Sequence, residues 1–485
     1  MYYLLILPKY EQRSVIDKRL NLKNMLYQSN IRFATFLLLI LRGLSLDAQQ
    51  STILDTYIKD GLTNNAGLKT QQFDIERSYA ALEEAKTLFL PRVNFQVQYT
   101  LAVGGRNIQF PIGDLLNPVY STLNKLTQSN NFGQLENQNI NFLPNNFHDT
   151  KVHAVYPILN KEIYYNREIK KELISIEQAK INVYKRELVK SIKLAYVQYA
   201  QANHAVGIYK NALNLVRENL RVNEKLVKND VATNASVLKA KMEISKVENS
   251  IIEAENNTKN AAAYFNFLLN KPLDSKINLD NDMINPKSEK NAPPQYLVQN
   301  STELQAKREE FAQIQGGQRA IELQKKMNEA YKSPKLGASF DVGFQGFGFK
   351  IWDKQAYGLL GLQLDVPLYT GKIEKTKIQQ NVLELKKMQA QTTEVLQQIQ
   401  LQIQVAKTNV ETALEAFKVN DAELVSSKEY YRLTERRYRE GQALQIEVVD
   451  AHTQMTMAEL KRSLAQFTVL IREIELERAE ASYRF

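Results

Sequence analysis

Two spacings of apolar residues take turns along this chain. Val93, Phe95, Val97, Tyr99 and Leu101 interleave with Asn94, Gln96, Gln98 and Thr100, a period of two that predicts a strand with one apolar and one polar face. The alternation returns twice in the second half. Leu336, Ala338, Phe340, Val342 and Phe344 interleave with glycine, serine, aspartate and glutamine, and so do Leu360, Leu362, Leu364 and Val366. A weaker run over 152–158 is the expected partner of the first strand.

After each set of strands the spacing changes to three and four: Leu173, Ile176, Ala179 and Val183 in the first half, Val395, Ile399, Ile403 and Ala406 in the second. This is coiled-coil-like helix packing. Between Pro157 and Pro272 there is no proline and one glycine, Gly207, and after Pro367 there is no proline and only Gly371 and Gly441. Such stretches sustain continuous helix. Each is broken once by turn-forming residues, Asn229-Asp230 ahead of Ala232-Thr233-Asn234 in the first and Glu440-Gly441-Gln442 in the second. The pattern predicts two helical hairpins with a first arm of about 68 residues and a second of about 38, the long arm reaching ~100 Å at 1.5 Å per residue.

The two halves repeat. Pro157 and Pro367 stand 210 positions apart, and the turns at Asp230 and Gly441 stand 211 apart, whereas Pro91 and Pro334 are 243 apart. One unit is therefore duplicated, with about 33 extra residues inside the first strand pair. They fall in 104–150, rich in Asn, Gln, Phe and Pro, and read as a long polar loop between adjacent strands. Segment 271–333, carrying Pro272, Pro286, Pro293 and Pro294, links the halves with short helices and loop.

Strands of about ten residues with one apolar and one polar face are the pattern of an outer-membrane barrel, apolar toward lipid and polar toward the lumen. A half-buried soluble sheet alternates in the same way, and the helices alone would suit a cytosolic coiled coil. A sheet of this kind joined to rods of this length is what separates the readings.

Composition narrows the chemistry. The chain has no cysteine, so disulfides, thiolate metal sites, a cysteine nucleophile and a lipid-bearing cysteine are all excluded. The four histidines, His148, His153, His204 and His452, include no pair at the spacing of a metal site on one helix face, and each reads as packed or solvated. No nucleophile with its base, no phosphate loop and no ligand cluster is present, so no catalytic residue, cofactor or metal is expected. The net charge of +10 raises the question of nucleic acid. Residues 1–48 hold seven Lys and Arg against three Asp and Glu, and the rest of the charge is mixed in sign along helical segments, so none is expected to bind.

Ile31–Leu41 is apolar over the length of an export-signal core and too short to cross a bilayer as a helix. Cleavage after Ala48 would leave Gln49 as the first residue, and Met25 is the more conventional start; the alternative is a buried N-terminal helix. No other segment approaches 18 uninterrupted apolar residues, so no transmembrane helix is expected.

With these features in place the sequence resembles the TolC-like outer-membrane efflux family, outer membrane factors, over nearly all of the chain after the signal. The motifs are LPRVNFQVQY (Leu90 to Tyr99), LLNKPL (Leu268 to Leu273), LDVPLYTGK (Leu364 to Lys372) and RYREGQALQIEVVDAHTQMTMAEL (Arg437 to Leu460). The resemblance implies an α+β membrane protein. Each chain would give four transmembrane strands to a trimeric twelve-stranded β-barrel, continued by long antiparallel coiled-coil helices as a periplasmic tunnel. It implies residues 1–48 as signal peptide with an N-terminal extension, 49–270 as the first repeat with loop 104–150 extracellular, 271–333 as an equatorial linker and 334–485 as the second strand pair and hairpin.

Functionally, the resemblance implies a homotrimeric exit duct in the cell outer membrane, resting in outer-membrane lipid with its helical part in the periplasm. It would receive substrates from an inner-membrane pump through a periplasmic adaptor (membrane fusion protein), in a tripartite efflux or type I secretion system. Glu447 and Asp450 align with the paired acids of the family's periplasmic entrance, and Tyr438 with its gate tyrosine, while Ala443 and Ser236 stand where the family has the arginine and aspartate of the latch. The hairpin tips, Lys228, Asn229 and Asp230 in one half and Glu440, Gly441 and Gln442 in the other, would be the adaptor-docking ends. Asn64-Asn65-Ala66-Gly67 replaces the family's Asn-Pro near the first helix, and Asp230 takes the place of a glycine. A periplasmic adaptor and an envelope-spanning structural coiled coil are the competing functions.

Overall fold

In the computed structural model the described residues are 53–280, 308–348 and 354–483. The signal segment Ile31–Leu41, the site after Ala48 and the prolines at 286, 293 and 294 lie outside them. The chain divides into two compact units, one drawn from Met1–Thr63 and Ile192–Asn291, the other from Asn64–Ser191 and Ala292–Phe485.

In the first unit, α1 (Ile53–Asn64) accompanies the later part of α4 (Lys161–Lys228) and all of α5 (Asn234–Leu268). Its aromatic centre is Tyr57, Tyr196 and Phe265, with Tyr57 edge-on to Phe265 at 5.1 Å and Tyr196 against Phe265 at 5.7 Å. Burial raises the pKa of the Tyr196 hydroxyl, which accepts from the Asp280 backbone N–H at 2.8 Å. The LLNKPL motif ends α5 for a physical reason. Asn270 adopts a left-handed backbone, Lys271 N–H reaches Asn266 O at 2.9 Å and Asn270 N–H reaches Phe267 O at 3.0 Å, the paired bonds that close a helix C-terminus. Farther along, Ala212, Leu213 and Val216 of α4 pack on Val247 of α5.

The second unit begins with α2 (Ala66–Thr87). Asn65 stands in place of the family's Asn-Pro and makes the turn itself: its Oδ1 accepts from Leu68 N–H at 3.0 Å and from the Tyr184 hydroxyl at 3.1 Å, a side-chain N-cap. The unit continues with β1 (Arg92–Thr100), β2 (Asn107–Phe110), α3 (Ile112–Leu126), β3 (Gln138–Asn141), β4 (Phe147–Leu159), the start of α4, α6 (Glu309–Glu329), β5 (Lys335–Phe347), β6 (Ala356–Asp365), α7 (Ile373–Arg439) and α8 (Gln445–Glu480). Ala406 and Val410 of α7 pack with Leu476 and Ala479 of α8, and Phe311 of α6 lies against Ile399 of α7. The two hairpins have nearly equal arms, 68 and 35 residues in the first and 67 and 36 in the second.

Three segments differ from the sequence reading. The stretch 104–150 is no plain loop: it contains the two-stranded β2–β3 sheet, the 15-residue α3 between those strands and the first residues of β4. The partner of the first strand begins at Phe147, well before 152. Among the described residues of the linker 271–333 stands a 21-residue helix, α6, followed by a short 3-10 turn at Ala330–Lys332.

A charged clasp holds the end of α8. Arg308, 5% exposed, donates to Ala479 O at 2.8 Å and to Glu310 at 3.1 Å. Arg478 bridges Glu310 at 2.9 Å and Glu187 at 3.0 Å, and Arg186 joins Glu309 to Tyr483 O. Carbonyls at a helix C-terminus have no partner within the helix, so guanidinium donors beside them both satisfy the backbone and oppose its dipole. Burial pulls the Arg308 pKa down. Burial alone would push the Glu310 pKa up, but Arg308 and Arg478 outweigh it and hold the carboxyl below its ordinary value.

Candidate channel wall and entrance

The four long strands form one antiparallel sheet in the order β1-β4-β5-β6. Register sorts their side chains into two faces. Phe95 pairs with Val152, Val152 with Val342, and Ala154 with Phe340, which pairs with Leu360; these share the apolar face. Gln96 pairs with Lys151, His153 with Asp341, and Gly343 with Tyr357 on the polar face. Exposure is inverted relative to a soluble sheet. Phe95, Leu360 and Leu362 are each more than 70% exposed, while Asp341 is 7% exposed. Among the described residues, no helix is long and apolar enough to cross a membrane; the sheet is where apolar surface faces outward.

The polar face holds a connected group of side chains around buried Asp341. His153 Nδ1 bonds Asp341 Oδ1, Lys151 lies 3.5 Å from Asp341 and 3.4 Å from Asp149, and the Tyr357 hydroxyl donates to Asp149 at 2.8 Å. The sequence reading left His153 as packed or solvated and missed this group. The signal was there in the parity: Asp149, Lys151 and His153 are spaced by two, on one face of a strand. His148, on the opposite parity, is fully buried and bonds Gln355 at 3.1 Å.

The hairpin tips use one backbone device. At the first, Val231 N–H reaches Leu226 O at 2.9 Å and Asp230 N–H reaches Val227 O at 3.1 Å; at the second, Gln442 N–H reaches Arg437 O at 2.8 Å and Gly441 N–H reaches Tyr438 O at 3.0 Å. This pair of bonds requires a left-handed residue after the helix. Asp230 supplies it with φ of 54° and Gly441 with φ of 74°. Lys228 and Asn229 are exposed beside Asp230, as are Glu440 and Gln442 beside Gly441.

In the second hairpin the acidic pair follows the tip directly. Glu447 lies in the first turn of α8, where its Oε1 accepts from Leu444 N–H at 2.8 Å while its own N–H donates to Leu444 O at 3.0 Å. Asp450, one turn on and exposed, accepts from Gln454 at 2.7 Å. Tyr438, on the last turn of α7, is half-buried, which raises its pKa. Buried His452 meets Tyr431 edge-on at 5.7 Å, and burial takes the Tyr431 hydroxyl up to about 12. Among the described residues no group of three or more histidine, aspartate or glutamate side chains is arranged to hold a metal ion.

Residues 300–481 match the family model described as outer membrane efflux protein. This match covers less than half of the chain. The fold is shared along the chain with solved outer-membrane proteins. CusC superposes with a TM-score of 0.70 at 11% identity, covering 88% of this chain and 91% of its own. VceC from Vibrio cholerae gives 0.65 at 15% identity, covering 88% and 96%, and the open state of MtrE from Neisseria gonorrhoeae gives 0.67 at 15% identity, covering 88% of each. No curated protein sequence matches the chain at the same stringency. The resemblance read from the sequence motifs is thereby shown, and with it the α+β fold of strands and long helices.

Proposed function

We propose that this chain is the outer-membrane channel subunit of a tripartite efflux or type I secretion system, a passive duct without catalysis. The observation that carries the proposal is the inverted sheet with two open edges. Among the described residues β1 and β6 each have a neighbour on one side only, and unpaired backbone groups are not tolerated in hydrocarbon. A chain that exposes Phe95 and Leu360 to lipid must therefore close its barrel with other copies. Three copies of four strands make a twelve-stranded barrel, as the family implies, with the long helices as its periplasmic tunnel.

In this reading the polar face of Lys151, Asp341 and His153 lines the lumen, and the hairpin tips dock a periplasmic adaptor that connects to an inner-membrane pump. Glu447 and Asp450 form the acidic entrance. The repeat supports that assignment: positions 211 earlier carry Ser236 and Lys239, so the acids are a feature of the second hairpin alone and are not demanded by helix capping. Six carboxylates around a narrow opening attract cations and repel anions, with Tyr438 behind them as the gate side chain. Purified protein reconstituted in a planar bilayer should give stable conductance steps. Insertion without conductance would reject the proposal.

A further inference from the structure

The insertion between β1 and β4 contains a helix built inside out. On α3 the residues Leu115, Val119 and Leu126 recur at i, i+4 and i+11, a single helical face, and they are 68%, 50% and 76% exposed. The opposite face is made of amides. Asn117 brackets Leu135, accepting from its N–H at 2.8 Å and donating to its carbonyl at 3.0 Å, and Asn124 does the same to Phe132 at 3.1 Å and 2.7 Å. Each asparagine thus pairs with the following segment as a strand would. The protein uses its polar side chains to hold the helix down and turns its leucines away.

Water is the wrong surrounding for that arrangement. The chain leading into the helix has the same inversion. Leu101 and Val103 extend the exposed apolar parity of β1 past its last hydrogen bond, at 73% and 101% exposure, and Ile108 of β2 faces Ile140 of β3 with both exposed. Residues 104–148 contain only four Asp, Glu, Lys or Arg in 45 positions, well below the 24% of the whole chain. A water-facing loop of this length would carry about the average charge, whereas a segment lying against acyl chains would not.

From these observations, and resting on the reading of the sheet as membrane-spanning, we infer that α3 lies on the membrane, with Leu115, Val119 and Leu126 dipped into the acyl region of the outer leaflet. The insertion is then a collar that follows the lipid-facing surface of β1 outward, and not a free loop. Lipid is favoured over a second copy of the chain because the exposed strip continues the hydrocarbon-facing positions of β1, and the Thr122 hydroxyl on it is already bonded within the helix, to Pro118 O at 2.8 Å. A short amphipathic helix whose backbone is satisfied internally suits an interfacial position.

The absence of cysteine makes the test direct. A nitroxide is attached to Val119→Cys and, as a second site on the same face, Leu115→Cys, in the full chain reconstituted in vesicles of phosphatidylethanolamine and phosphatidylglycerol. Val97→Cys and Gln96→Cys report the two faces of β1. Label at 119 and 115 should be several-fold more accessible to oxygen than to a water-soluble nickel chelate, as at 97 and opposite to 96. Preferential nickel access at 119 and 115, with 97 still in lipid, overturns the inference alone. Spin–spin broadening between labels at 119 with low access to either reagent means that copies cover the helix, and also overturns it. Nickel access at 97 overturns the membrane reading of the sheet, and the inference with it.

Discussion

Two roles meet in Glu447. Its carboxylate closes the first turn of α8 by accepting from Leu444 N–H, and it stands with Asp450 at the tip of the second hairpin. Amide substitution separates the roles, because Gln is also a good partner at this cap position. The double variant Glu447→Gln, Asp450→Asn should cost no more than ~0.5 kcal/mol of helix stability and should leave assembly intact, while sharply lowering cation preference in bilayer recordings. Unchanged selectivity in a correctly assembled double variant would return both residues to the solvated surface. The left-handed residues of the two tips give a second contrast. A side chain in that conformation costs about 1–2 kcal/mol, less for Asp than for most, whereas Gly bears no such penalty. Asp230→Gly should therefore be neutral to stabilising, and Gly441→Val should destabilise its hairpin by about 2 kcal/mol, both read by thermal unfolding in detergent.

Among the elements, the clasp at the end of α8 carries the pH dependence. Glu310 and Glu187 both have pKa values below the ordinary 4.5 in the folded chain: burial pushes each up, but Arg308 and Arg478 outweigh it at Glu310, and Lys190, ahead of Arg478, outweighs it at Glu187. Lowered folded values mean that this stabilisation is complete above about pH 4.5 and is lost as pH falls through the folded values. Glu310→Gln should flatten the acid limb of a stability–pH profile, and Arg308→Ala should cost about 3 kcal/mol near neutrality by leaving Glu310 with Arg478 alone and the helix carbonyls without their buried donor. A profile unchanged by Glu310→Gln would remove the clasp from this account. On the β1–β4 insertion, an epitope placed at exposed Asn131 should be reached by antibody on intact cells. Labelling only after the outer membrane is opened would invert the topology.

The long helices and the apolar parity of β1, β5 and β6 were legible in the sequence because each depends on a period repeated many times without interruption. What was hidden broke a local rule for a reason of packing. The start of β4 was missed because His148, Asp149, Thr150 and Lys151 look like loop, yet on an inverted sheet charged residues belong on the enclosed face. Pro118 and the asparagines disguised α3 as irregular, since nothing in water calls for an amide-bonded helix with bare leucines. A Cβ at Gly316 would stand 2.8 Å from Ile176 and one at Gly317 2.7 Å from Met388: these glycines let α6 approach its neighbours. The acidic pair at 447 and 450 came from motif resemblance, because two carboxylates three residues apart on a helix carry no signature of their own.

For the molecule as a whole, a closed barrel has one geometric requirement, that β1 of one copy pairs with β6 of the next until the sheet closes. Within a single chain β1 and β6 are the two edges of the sheet, separated by β4 and β5, so a bond between them can only be intermolecular. The most direct measurement is oxidative crosslinking in membranes of double-cysteine variants that combine Val97→Cys in β1 with Gly358→Cys, Leu360→Cys or Leu362→Cys in β6, the series covering alternative registers. The account predicts that at least one pair yields covalent dimers and trimers and that the ladder stops at three chains. Absence of intermolecular products from every pair, or a ladder that continues past three, would contradict it.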